Sequence, residues 1–170
     1  AGSGLVTGFS AGTAIITYTD DNGCQDTVLI TVNGSPLATI APDPAEVCAG
    51  ITLGLNGTPT LGSGVYTNHA WTNTGSGSLD VTNTVNPNFT NATPGPYTLT
   101  YTVTDNNGCT GTDDITVTVF ANPVINLVPT DPLTCNATDG SIEVNLTSGS
   151  SSNGTISWTG TTSSSVGPTT

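Results

Sequence analysis

Apolar and polar residues alternate with period two through most of this chain. Tyr97-Thr98-Leu99-Thr100-Tyr101-Thr102-Val103-Thr104 is the cleanest run, and it predicts a strand that lays Tyr97, Leu99, Tyr101 and Val103 on one buried face. Asp105-Asn106-Asn107-Gly108 follows it; Asn and Gly tolerate positive φ, so this segment predicts a tight hairpin turn. The same reading places strands at about 37–41, 51–55, 66–72, 78–82, 88–90, 97–104 and 113–120. Helical periodicity appears nowhere. Seven short strands in about 85 residues predict an all-β fold, an immunoglobulin-like antiparallel β-sandwich whose third strand carries a core Trp, here Trp71.

The pattern repeats. Thr17-Tyr18-Thr19-Asp20-Asp21-Asn22-Gly23-Cys24 returns 85 positions later as Thr102-Val103-Thr104-Asp105-Asn106-Asn107-Gly108-Cys109. Cys48 and Cys135 stand 87 apart, as do Trp71 and Trp158, which makes Trp158 a second core position. A period of about 85 residues is the signature of tandem repeats. The boundary, just after the strand that follows each Asn-Gly-Cys turn, falls near Ser35 and Asn122. The chain therefore divides into 1–35, the C-terminal part of one repeat; 36–122, a complete repeat; and 123–170, the N-terminal half of a further one. The expectation is that each incomplete end is completed by a neighbouring unit, so the partners are copies of the chain or adjacent repeats.

Charge narrows the function. The chain has no Lys or Arg and 12 acidic residues, for a formal net charge of −12. Such a polyanion cannot release phosphate counterions, and anionic lipid repels it; nucleic-acid binding is excluded and membrane insertion is not expected. The hydrophobic fraction of 34%, arranged in alternating runs, argues against disorder. Without Lys or Arg, trypsin-like proteases have no site to cut, which suits long exposure outside a cell. No apolar run of about 18 residues is present to span a bilayer as a helix.

With these residues in view, the chain resembles the PKD-like and SprB-type repeats of giant Bacteroidota surface adhesins and extracellular filaments. In such repeats a Tyr-Thr-Val-Thr-Asp-x-Asn-Gly-Cys strand and turn precedes a Thr/Val-rich last strand, and both copies here carry it. Thr134-Cys135-Asn136-Ala137-Thr138-Asp139-Gly140-Ser141-Ile142 is similar to the SprB-type opening. The Gly-Gly-x-Pro-Pro-Tyr segment usual before the Trp is missing, and Cys48-Ala49-Gly50-Ile51-Thr52-Leu53 looks like a generic immunoglobulin-like opening. The resemblance implies a secreted, cell-surface, bacterial protein that is not an enzyme and acts in adhesion or filament formation. The runner-up is a carbohydrate-binding or accessory module of a secreted enzyme, for which Tyr66 and Trp71 would have to face solvent. A third reading is polymerisation of separate chains by strand complementation.

Candidate chemistry is sparse. In an acidic extracellular protein four Cys suggest disulfides. One pairing joins Cys48 to Cys109 within the middle repeat and leaves Cys24 and Cys135 to neighbouring units. Pairing between adjacent domains is the alternative, because the two positions lie at opposite ends of a plain immunoglobulin topology. No CxxC pair exists for zinc and no cation is present to activate a thiol. Asp20, Asp21 and Asp26, and again Asp105, Asp113 and Asp114, flank the turns as weak Ca²⁺ candidates, without a dense Asp-x-Asp-x-Asp loop; no other cofactor is expected. His69 lacks a Ser, Cys or acidic partner at any catalytic spacing and reads as a solvent-facing strand residue. Seven Asn-x-Ser/Thr sequons occur, at Asn33, Asn56, Asn88, Asn91, Asn136, Asn145 and Asn153. Asn88 and Asn91 are the glycosylation candidates among them, with Thr27 in Asp26-Thr27-Val28 as an O-linked one. Surface glycans are a second candidate partner, through Trp stacking.

Overall fold

The computed structural model describes residues 4–131, 140–149, 155 and 157. Cys135 and Trp158, and the sequons at Asn136 and Asn153, lie outside them. The described residues are all-β, without a helix, and form two compact units, Ala1–Phe120 and Ala121–Thr170. The first unit opens with a hairpin of β1 (Gly12–Thr19) and β2 (Gln25–Val32). It continues through β3 (Pro36–Ala41), β4 (Ala45–Cys48), β5 (Thr52–Gly54), β6 (Asn56–Leu61), β7 (Tyr66–Thr74), β8 (Ser78–Leu79), β9 (Asn88–Thr90), β10 (Gly95–Asp105) and β11 (Thr110–Phe120). The second unit contains β12 (Val124–Thr130) and β13 (Ser141–Ser148).

Strands β3 to β11 build one sandwich. Its first sheet runs β4-β11-β10-β7, with β4 parallel to β11 and the other pairs antiparallel. The opposing layer pairs β3 with β6 and β5 with β9 and β8. Strands β5 and β6 are halves of one strand interrupted at Leu55, whose N–H turns to the carbonyl of Pro87. Between β3 and β4 the chain changes sheets across Pro42 and Pro44, and a proline cannot donate to a ladder. The alternation does not mark β4, which is short and follows two prolines; its support is tertiary, four parallel pairs along the end of β11.

The alternation along β10 sets the core. Leu99, Tyr101 and Val103 are fully buried, Tyr97 is nearly so, and Val117 and Val119 of β11 extend the same face. Phe89, Leu55, Ala38 and Ile40 meet them from the other layer. Trp71 is 2% exposed and its ring stacks on Tyr101 with centroids 4.8 Å apart. Burying a side chain of this size contributes about 1.5–3 kcal/mol, so the aromatic stack supplies a large part of what holds so small a domain.

His69 departs from its expected place. Two residues before Trp71 on β7, it shares Trp71's inward side, is half-buried, and its Nδ1 lies 2.7 Å from the Tyr101 Oη. Gly57 in β6 lets the layers meet here, because a Cβ at that position would come within 2.7 Å of the Tyr101 ring. Gly57→Ala is therefore expected to destabilise the sandwich by about 1–3 kcal/mol, read as a lower urea midpoint at unchanged slope.

The two flanking hairpins copy parts of this sandwich. In β1–β2, Thr19 pairs with Gln25 and Gly12 with Val32; in β10–β11, Thr104 pairs with Thr110 and Tyr97 with Val117. Every partner is displaced by 85 positions, so β1–β2 has the register of the last hairpin of a sandwich. In β12–β13, Ile125 pairs with Leu146 and Leu127 with Val144, while in β3–β6 Ala38 pairs with Pro59 and Ile40 with Gly57. Here the displacement is 87, and β12–β13 has the register of the first hairpin-like pair.

Candidate functional site

The inner faces of the flanking hairpins carry apolar residues that are exposed at one end; Ile16, Ile30 and Val32 of β1–β2 are half-buried beside residues 6–11. By register, Ala14, Ile16, Tyr18, Val28, Ile30 and Val32 stand where β10–β11 carries Leu99, Tyr101, Val103, Asp113, Ile115 and Val117. Tyr18 is 71% exposed where Val103 is fully buried. On β12–β13, Ile125, Leu127 and Ile142 occupy the positions of Ala38, Ile40 and Leu55, and all three are more than half exposed. In the middle sandwich β10 and β11 pack directly on β3. The two exposed faces are thus of the two kinds that build one core between them. Sequence reading had the period but named no residue of either face; projecting the buried positions of β10 and β3 through the period would have found them.

The Asp-x-Asn-Gly-Cys turns that begin β2 and β11 share one construction. In each, the Asp Oδ1 accepts from the N–H groups two and four residues on: Asn22 and Cys24 on Asp20, Asn107 and Cys109 on Asp105, all at 2.8–2.9 Å. The Gly N–H donates to the Asp carbonyl at 3.0 Å in both, and Gly23 and Gly108 have φ near +80°, which favours glycine. Asp105 is also an anchor between loops, since Oδ2 accepts from the Ser63 N–H at 2.9 Å. Burial, at 1% exposure, pushes its pKa up, but the N–H donors of Ser63, Cys109 and Asn107 outweigh that and hold it below the ordinary value. A depressed carboxylate pKa stabilises the fold above the ordinary value of 3.8 and loses that contribution as pH falls through the lower folded value. Asp105→Asn should therefore lower the melting temperature at neutral pH and flatten its decline below about pH 4.

This role removes Asp105 from the calcium candidates. Asp113 is likewise engaged, its Oδ2 accepting from the Ile40 N–H at 2.9 Å and tying β11 to β3. Asp113 and Asp114 pair across from Tyr101 and Thr100, about 13 Å along β10 from Asp105, so the three carboxylates are not brought together. Among the described residues no group of three His, Cys, Asp or Glu side chains is placed to hold a metal ion.

The cysteine pairing within the middle repeat is also corrected. Cys48 sits opposite Phe120 at one end of β11, and Cys109 precedes the other end. Eleven residues of strand separate the two levels, about 36 Å, against the roughly 7 Å that a disulfide allows between Cα atoms. Within one chain Cys24, Cys48 and Cys109 form no disulfide, and the first two are exposed.

Of the glycosylation candidates, Thr27 is exposed on β2. Asn88 is exposed, but its Nδ2 donates to Asp80 Oδ2 at 2.7 Å, and the backbone and side chain of Asn88 hold the Asp80 pKa below its ordinary value. Asn91 is 7% exposed with its Nδ2 buried, so a glycan has no room there. Trp71 is core, and the Tyr66 hydroxyl donates to the Leu61 carbonyl at 2.9 Å; the two do not form the exposed aromatic platform that sugar stacking requires.

A seven-stranded sandwich with a sheet-switching first strand, an Asp-capped last hairpin and an aromatic core on its third and sixth strands defines an immunoglobulin-like module. It is a PKD-like domain: residues 45–119 match the family model described as K319L-like, PKD domain. No curated protein sequence matches the chain. Among solved structures it is similar to a nucleoside hydrolase-related hypothetical protein from Saccharophagus degradans that is associated with carbohydrate metabolism, at 18% identity and a TM-score of 0.46. That similarity covers 51% of this chain and 26% of the other, so the chain spans about a quarter of that protein's length.

Proposed function

We propose that the chain is a structural and adhesive repeat unit of an extracellular filament or giant surface adhesin, in which incomplete terminal half-domains are completed by neighbouring units. One observation carries this reading: β1–β2 and β12–β13 repeat the register of β10–β11 and β3–β6 while Tyr18, Val28, Ile125, Leu127 and Ile142 of their inner faces are more than half exposed. Water-exposed faces of this size cost free energy, and the middle sandwich supplies the pattern by which each covers the other. PKD domains commonly occur in extracellular proteins, and they are typically non-catalytic. A module of this kind works through sheet hydrogen bonds and apolar burial, which suits a chain with no Lys or Arg to form ordinary ion pairs.

Light scattering of the chain under reducing conditions tests the proposal. Mass should rise with concentration in steps of the 16.9 kDa unit. A constant 16.9 kDa at every concentration overturns it.

A further inference from the structure

We propose that the cysteines staple consecutive sandwiches to one another: Cys48 of one domain bonds to the turn cysteine of the domain that follows, which in the 170-residue chain is Cys24 of a second copy. The inference rests on the half-domain completion proposed above and names the covalent contact that would accompany it.

In the middle sandwich the two thiols mark opposite ends. Cys48 is at the trailing end, in register with Phe120, and the next residue, Ala49, donates its N–H to the Phe120 carbonyl at 2.9 Å. Cys109 is at the leading end, where the chain comes in: a Cβ on Gly111, two residues on, would run into the carbonyl of Pro36, the first residue of β3. Each domain thus carries one thiol where the chain arrives and one where it leaves.

The link between β2 and β3 shows how near those ends come at a junction. Strand β2 stops at Val32, and only residues 33 to 35 precede Pro36, a span of at most about 14 Å from strand to strand. Ser35 stands 85 positions before Phe120, so a trailing-end cysteine in the domain to which β1–β2 belongs would lie opposite Ser35. That places it beside Pro36, and so close to Gly111 and Cys109. The trailing thiol of one domain therefore meets the leading thiol of the next, whereas thiols of the same domain stay about 36 Å apart.

The bond forms by exchange with a small-molecule disulfide. The Cys24 thiolate attacks one sulfur of the oxidant and releases the first small thiol. The Cys48 thiolate then attacks Cys24 Sγ in the mixed disulfide, the Cys24–Cys48 bond forms, and the second small thiol leaves. The oxidant gains the two electrons, and the two protein protons end on the released thiols.

Equal amounts of ¹⁴N- and ¹⁵N-labelled full-length chain, oxidised with glutathione disulfide, digested with chymotrypsin and mapped without reduction, test the staple. The expected product is a Cys24–Cys48 linked peptide, about half of it carrying one light and one heavy arm, and lost in Cys48→Ser. Light scattering under reduction reports completion separately. Chains that associate while Cys48 stays a thiol, or pairs with Cys109, overturn the staple and leave completion standing. Chains that stay monomeric under reduction overturn both.

Discussion

Leu127→Asp should leave the chain monomeric at concentrations where the wild type associates. Leu127 is the counterpart of Ile40, which is 9% exposed inside the middle sandwich and pairs with Gly57 on β6. If the β1–β2 hairpin of a neighbour packs on β12–β13 as β10–β11 packs on β3–β6, Leu127 moves from 53% exposure to that environment. Burial of a Leu contributes about 1.5–3 kcal/mol, and an unpaired carboxylate in its place adds a desolvation cost of at least that size. The expected loss is a 100-fold or larger weakening of association, since 1.4 kcal/mol is about tenfold. Leu127 lies in the second compact unit, so the middle sandwich should melt unchanged in the variant. Sedimentation and calorimetry on the same samples check both halves of the expectation, and an outward control, Thr13→Asp, should associate normally.

Tyr101→Ala should unfold the middle sandwich at ambient temperature or bring it close to that point. The side chain is fully buried, stacks on Trp71, and fills the space left by Gly57. Truncating a large buried aromatic to Ala costs about 3–5 kcal/mol, against a total of about 5–15 kcal/mol for a domain. Tyr101→Phe separates packing from polarity. It keeps the ring but leaves the His69 Nδ1 without its 2.7 Å partner, for a loss of about 1 kcal/mol. The phenol also titrates in a diagnostic direction: burial, and secondarily the charge of Tyr66, push its pKa above 10.0. A raised pKa contributes stability that is present below the unfolded value and lost as pH rises through the folded one. Wild-type stability should fall above about pH 10 more steeply than that of Tyr101→Phe, measured by urea midpoints from pH 8 to 11.

Much of the middle sandwich was legible because period-two alternation survives wherever one face is buried. The run from Tyr97 to Val103 is the clear case, and the short strand at 88–90 was placed with its bounds. What escaped notice depended on contacts remote in sequence. Strand β4 exists because the end of β11 offers it four partners, and its own residues follow two prolines. The chemistry of His69 suggests a solvent-facing residue, but its spacing from Trp71 places both on the inward side of β7. The sequence marks Asp105 as a turn residue with calcium potential, but its burial comes from the Ser63 loop arriving over it, a contact 42 residues distant. The sequence period of 85 to 87 marked the permuted boundaries, while the conclusion that the hairpins keep the sandwich register needed the pairing itself.

If the two ends are complementary halves of one domain, two truncated chains should complete each other. One lacks residues 1–35 and keeps only the β12–β13 face; the other lacks residues 122–170 and keeps only the β1–β2 face. Both retain the middle sandwich with its own core. Mixed under reducing conditions and measured by light scattering, they should form a one-to-one heterodimer that does not grow further, while each alone stays monomeric. Two species that remain monomeric in the mixture, at concentrations where the full chain associates, would mean that the ends do not complete each other.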